Sequence, residues 1–187
     1  LYAVPWPAQG LYSKKEINSV ADLKGLKFRA YNSATIRIAE LTGMAPTKIE
    51  AAEISQAFST GAVESMITSP TTGKNKKIWE NGVGYFYDIA AWFPKNMVIV
   101  NKDSWNKLDS DTQKLLMKEA ALAERKGWDL SKKGNVADKK ALADAGMKVG
   151  KVNSALQSHF EGVGEAMSKE WAERAGSRGA AVLSAYK

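Results

Sequence analysis

The chain has no cysteine. That excludes thiolate catalysis, cysteine-ligated zinc and disulfides, and leaves an oxidising compartment open. Histidine is nearly missing: His159 stands alone, within Ala155-Leu156-Gln157-Ser158-His159-Phe160. Any hydrolase triad would have to centre on it, in a late helix far from strand ends, so a structural or surface role is expected. No phosphate loop is present. Gly146 to Lys151 is superficially close, but its glycine spacing is wrong and Val152 replaces the hydroxyl residue. Gly82-Val83-Gly84 and Gly162-Val163-Gly164 lack a third glycine, and there is no Gly-x-Ser-x-Gly elbow. No apolar run reaches the ~18 residues of a membrane span. Glu50, Glu53 and Glu64 form no paired arrangement for acid–base work. An enzyme is therefore not expected, and no cofactor or metal is called for.

What is present begins with charge. The 27 Lys and Arg exceed the 20 Asp and Glu by seven. The lysines are scattered among acids, densest at Lys74, Lys76 and Lys77, and only five of the cations are Arg. That pattern reads as a solvated surface, with no nucleic-acid partner. Its positive field favours acidic ligands.

Residues 1–12 are apolar and proline-rich, with Pro5-Trp6-Pro7, and predict an extended crossover. From 13 to 96 short strands and helices alternate. Strand 26–31 leads into helix 33–42, closed by Gly43. Strand 45–49, helix 53–60 and strand 63–68 follow, then Ser69-Pro70 opens a helix to about Glu80, and 83–88 is a strand. The rhythm predicts an α/β fold, a mostly parallel sheet flanked by helices. Residues 97–101 form a continuously apolar run, predicting a strand buried on both faces. Ser110-Asp111 then caps a helix over 111–145, long enough at ~50 Å to bridge two lobes. A strand at 147–149, a helix over 154–174 and a short helix over 177–186 complete the chain.

Three segments can converge at strand ends, where open α/β folds bind ligands. Arg29, Tyr31 and Asn32 form the first, beside a helix start whose N–H groups favour anions. Thr68 and Ser69 form the second. Trp92, Phe93 and Asn96 form the third. One cation, neutral hydrogen-bonding groups and aromatic walls make a pocket for a small polar ligand. Each also has a plain structural role open to it. Arg29 can cap a strand edge or pair with a surface acid, Ser69 can be an N-cap, and Trp92 and Phe93 can be core.

Ala21-Asp22-Leu23-Lys24-Gly25-Leu26-Lys27-Phe28-Arg29-Ala30-Tyr31-Asn32 resembles the signature of the periplasmic solute-binding proteins of TRAP transporters, the DctP-like family. Ala57 to Glu64 resembles that family's helix, glycine and Val-Asp-Gly stretch. Val98 to Trp105 resembles its returning strand and following helix, and Leu108 to Val149 agrees in order and spacing. The likeness covers nearly the whole chain. It implies two α/β lobes of the periplasmic-binding-protein kind, joined by hinge strands and a long bridging helix. It also implies a periplasmic receptor that hands organic acids to a sodium-driven membrane permease. Arg29 matches the position of the family's carboxylate-pairing Arg. The related two-lobe plan of ABC-importer receptors is the alternative, with the long helix favouring TRAP; a carboxylate-based enzyme is a more distant one.

Three departures refine what the likeness implies. Gln9 stands about where many members carry a second cation. Met66-Ile67-Thr68-Ser69-Pro70 replaces the usual Gln-Glu-Asn-Pro, leaving Asn96 as the candidate amide contact. Both favour a small monocarboxylate, a lactam or keto acid. The Trp6-containing opening and the Trp92–Asn96 segment look like the branch that includes pyroglutamate binders. The third departure is length. The likeness implies a hinge segment over 1–12, a second lobe over 13–96, and over 97–187 a returning strand, bridging helix and C-terminal helices belonging partly to an incomplete first lobe. Bare apolar surfaces would then favour self-association or dependence on a missing fragment.

Overall fold

The computed structural model describes residues 1–186. Its strands form two sheets. β1 (Tyr2–Pro5) pairs antiparallel with β7 (Lys95–Val98) as a two-stranded ribbon. The larger sheet has the order β4-β3-β5-β2-β6-β8, from β2 (Gly10–Ser13), β3 (Lys27–Ala30), β4 (Ala45–Lys48), β5 (Ser65–Thr68), β6 (Tyr85–Tyr87) and β8 (Lys148–Gly150). Three of its five pairings are parallel, and β2 runs against both neighbours. Residues 10–12, assigned to the crossover from sequence, thus belong to an inner strand. The prolines that predict an extended path end at Pro7, and the strand starts three residues later.

Period-2 alternation divides the core between the two faces. Leu11, Phe28, Ala30 and Ile67 pack with Ile38 and Ala39 of α1 (Ser33–Thr42) and with Leu156 and Val163 of α6 (Ser154–Tyr186). Tyr12, Met66 and Phe86 pack on the other face with Ile54 and Phe58 of α2 (Ile54–Ser59) and a late leucine, Leu142. Gly43 closes α1 at φ 75°, where a Cβ would be strained. α3 (Pro70–Asn75) starts at its Ser69 cap but stops earlier than predicted. Lys77 turns left-handed and a short 3₁₀ segment, Ile78–Asn81, replaces the last turns. Gly73 lets α3 sit on Tyr12, whose hydroxyl lies 2.3 Å from where a Cβ would be.

After α4 (Lys102–Asn106) comes α5 (Ser110–Asp144), 35 residues long and within one residue of its predicted bounds. Its cap is Asp109, whose carboxylate accepts from the N–H of Asp111 and Thr112; Ser110 and Asp111 are already inside the helix. The late turns pack on α3 through Asp138, which accepts from Lys74 Nζ at 2.6 Å and Thr71 Oγ1 at 2.5 Å. Earlier turns lie on β1: Glu124 accepts from the Ala3 N–H at 3.1 Å, and Trp128 Nε1 donates to the Ala3 carbonyl at 3.1 Å. Together these contacts tie the ribbon to the larger sheet along one helix. α6 contains a break at Gly176 (φ 60°, ψ −146°), which separates the two helices predicted there.

One prediction fails clearly. The strand expected at 97–101 instead runs from Lys95 to Val98 as β7, and the apolar run is not buried: Met97 is 65% and Ile99 80% exposed. Its apolar composition suits a covered face, but among the described residues it has one strand neighbour and all four of its residues are exposed.

Candidate functional site

Arg29 lies near the carboxyl end of β3 and is 4% exposed. Phe28 and Ala30 on either side face the first core cluster, so Arg29 takes the opposite face, beside Met66 of β5. Its Nε donates to the Ile49 carbonyl at 2.9 Å. Its guanidinium carbon sits 4.7 Å from the centre of the Tyr31 ring. Residues two apart on an extended chain share a side, so this stack follows from the Arg-Ala-Tyr spacing. Among the described residues no carboxylate pairs with Arg29, and neither terminal nitrogen makes a hydrogen bond to protein. Those nitrogens are not sealed: the fully enclosed unpartnered side-chain atoms are Asn135 Oδ1 and His159 Nε2, both elsewhere. Burial lowers the Arg29 pKa, opposed by Tyr31 and Glu50. Burial likewise pushes the Tyr31 phenol above its ordinary range, while the Arg29 cation and the Trp92 indole pull it back. The group is a buried, braced cation with its fork unused.

The neighbouring helix start is already largely satisfied. Asn32 Oδ1 accepts from the Thr35 N–H at 2.9 Å, and Thr35 Oγ1 accepts from the N–H of Tyr31 and Asn32. Only the Ser33 and Ala34 N–H groups lack a protein partner among the described residues, fewer than an uncapped helix would offer. Ser69 is buried and caps α3, accepting from the Thr72 N–H at 3.1 Å, while its carbonyl accepts from the Tyr12 hydroxyl. Thr68 is buried opposite Gly10, in the row next to Arg29 and Met66.

The crossover is a pair of antiparallel strands' ends. The Trp6 N–H donates to the Pro94 carbonyl at 2.8 Å, Gln9 N–H to Trp92 at 3.0 Å, and Ala91 N–H to Gln9 at 2.9 Å. Gln9 is buried at 2% exposure, its Nε2 bound to the Pro7 carbonyl at 2.9 Å. Trp92 packs on the first core cluster, whereas Phe93 is 66% exposed. Asn96 lies exposed on β7, opposite Val4, and Trp6 is exposed on the crossover. A cavity of about 510 Å³ opens on the first face, with walls that include Asn32, Ile67, Ala90, Trp92, Phe160 and Met167. Asn32 and Trp92 therefore share a cavity. Arg29, Thr68, Ser69, Phe93 and Asn96 lie outside its lining. Two participants escaped sequence reasoning. The Ile49 carbonyl is a backbone group, which composition does not signal. Ala90 has a left-handed backbone, φ 46°, and an alanine gives no hint of that.

The chain belongs to the DctP family, the bacterial extracellular solute-binding proteins of family 7, which it matches over residues 8–175. Among solved structures it is similar to DctP6 of Bordetella pertussis, an extracytoplasmic solute receptor binding pyroglutamic acid. The two are 42% identical with a TM-score of 0.96, and the match covers 100% of this chain and 62% of that one. It is likewise similar to a TRAP solute-binding protein from an unidentified marine microbe, specific for pyroglutamate and solved with it (39% identity, TM-score 0.95, 99% and 60% coverage). Among curated relatives is the sialic acid-binding periplasmic protein SiaP of Vibrio cholerae, 32% identical over 111 residues, 58% of this chain and 33% of that protein. The chain thus spans about a third of that curated relative and about three fifths of the two solved ones. All are solute-binding proteins or receptors, and none is an enzyme.

Proposed function

We propose that this chain supplies the carboxylate-reading part of a periplasmic TRAP-type receptor for a small monocarboxylate of the pyroglutamate class. The observation that carries the proposal is Arg29: buried, held by the Ile49 carbonyl and the Tyr31 ring, and without an acid partner. A buried cation costs free energy unless it is paired, and a ligand carboxylate is the partner its planar fork fits. Gln9, where a second cation would serve a second carboxylate, is neutral and engaged with Pro7. To the same site we assign Tyr31, stacked on the cation, Asn32 and Trp92 of the neighbouring cavity, Thr68 and Ser69, and on the crossover and β7 Trp6, Phe93 and Asn96.

The larger sheet with its helices acts as one lobe. The ribbon of β1 and β7 and the early turns of α5 lead toward a second. Ligand capture between them and delivery to a TRAP membrane permease complete the role. The exposed apolar groups on β7 and along α5 favour association with further protein. The solved relatives quoted are TRAP or extracytoplasmic receptors, which supports this role over service to an ABC importer.

Calorimetric titration of the full-length receptor, with both lobes present, tests the proposal. A micromolar site requires about 8 kcal/mol, of which one charge-assisted pair gives roughly 1.5–3 kcal/mol. Pyroglutamate should bind and succinate should not. Arg29→Ala should abolish binding and Arg29→Lys should restore little. Unchanged affinity in Arg29→Ala rejects the assignment.

A further inference from the structure

Among the described residues two non-glycine positions have positive φ, Lys77 at 44° and Ala90 at 46°. Side chains with a Cβ rarely adopt that conformation, and it persists only where the surroundings over-determine it. Lys77 sits at a helix end beside its own turn. Ala90 is different, because it lies in the wall of the cavity that Asn32 and Trp92 share and is fixed from both sides.

Before it, the Asp88 N–H donates to the Gly150 carbonyl at 2.7 Å, the Ile89 N–H to Tyr87 at 3.0 Å, and Ile89 is buried in the core. Lys139 of α5 also bonds the Asp88 carboxylate. After it, Ala91 N–H and the Trp92 carbonyl both bond Gln9. The chain must leave β6 and enter the crossover within these few residues. A right-handed residue at 90 would send the following segment elsewhere.

From this we infer that Ala90 is a positioning residue: its left-handed backbone aims Trp92 into the cavity it shares with Asn32, and so sets ligand affinity without touching ligand. The inference rests on the proposed acid site and adds to it a source of preorganisation. The methyl group narrows the conformations of the turn, and glycine would free them.

The test uses Ala90→Gly in the full chain, with 5-fluorotryptophan incorporated and the Trp92 resonance assigned by Trp92→Phe. Glycine accepts the left-handed conformation, so Tm should stay within about 3 °C of the parent. The Trp92 fluorine signal should broaden or split. Pyroglutamate should bind about three- to tenfold more weakly, the entropy of one freed side chain. Ala90→Val should lower Tm and weaken binding together. An unchanged fluorine signal, or unchanged affinity in Ala90→Gly, overturns the inference. Arg29→Ala separates the two claims. If it abolishes binding while Ala90→Gly is silent, only the role of Ala90 fails. If Arg29→Ala is also silent, the acid site fails, and the fluorine signal alone judges Ala90.

Discussion

Replacing Arg29 by Met tests whether the residue exists to hold the fold or to meet a ligand. A buried Arg that forms a structural ion pair is expensive to remove: truncating one partner leaves the other charge stranded, at about 3–5 kcal/mol. Among the described residues Arg29 has no such partner. What Arg29→Met loses is one hydrogen bond to the Ile49 carbonyl, about 0.5–1.5 kcal/mol, and a cation over the Tyr31 ring, about 0.5–2 kcal/mol. What it gains is relief from burying a cation at 4% residue exposure, plus an apolar side chain of similar length in its place. The opposing terms are of similar size, so the ligand-free protein should change by no more than about 1 kcal/mol in either direction. For a chain of this length that is roughly 2–4 °C in Tm. Differential scanning calorimetry without ligand measures this directly, and titration of the same variant with pyroglutamate should give no binding heat. Stability nearly intact with binding gone is the signature of a receptor cation. A fall of about 10 °C or more would show that Arg29 is a structural member, and the reasoning would collapse.

Two further outcomes follow from contacts away from the site. Arg37 holds Glu170 through Nη2 at 2.6 Å and Nε at 3.1 Å, joining α1 to α6, and this keeps the Glu170 carboxyl below its usual range. Because the folded value is depressed, the stabilisation is present above the ordinary carboxyl value of about 4.3 and lost as pH falls through the folded value. Thermal melts of parent and Glu170→Gln should differ at neutral pH and converge in acid; a gap that persists in acid would contradict this. Gly127 of α5 faces Val4 of β1 so closely that a Cβ would lie 2.5 Å from Val4 Cγ2. Gly127→Ala should destabilise by about 1–3 kcal/mol, and Val4→Ala in the same chain should recover most of it. Additive losses in the double variant would show that the two do not meet.

The parts legible in sequence were those written in local chemistry. β3 and α1 were bounded by the run to Tyr31 and by Gly43, α3 began at Ser69-Pro70, and α5 was set by its long helical pattern, though its cap is Asp109 and not Ser110-Asp111. The stack of Arg29 on Tyr31 follows from their spacing on an extended chain, but it emerged only with the structure. The parts that were not legible depend on partners distant in the chain. The apolar run of β7 says that something should cover it, not whether anything does. β2 hides behind prolines, and its reversed direction is decided by β5 and β6 more than fifty residues away. Asp138 reads as one more charge on a long helix until Thr71 and Lys74 close on it from α3.

Arg29 and Ala90 share a property that bears on the site more than proximity does. Each departs from what most of the molecule does: among the described residues Arg29 is a buried cation without an acid partner, and Ala90 is, with Lys77, one of two left-handed residues that are not glycine. The other buried charge, Asp138, is fully partnered. The ordinary turns at Gly25, Gly43, Gly61 and Gly82 use glycine for positive φ. Lys77 turns where one helix ends and a short one begins, whereas Arg29 at the end of β3 and Ala90 just past β6 relax these rules beside the proposed site. Folding alone would favour Met at 29 and Gly at 90. The side chains actually present make sense if the unpaired charge is reserved for a solute and the stiffened turn keeps the Trp92 indole by Tyr31, the ring stacked on that charge.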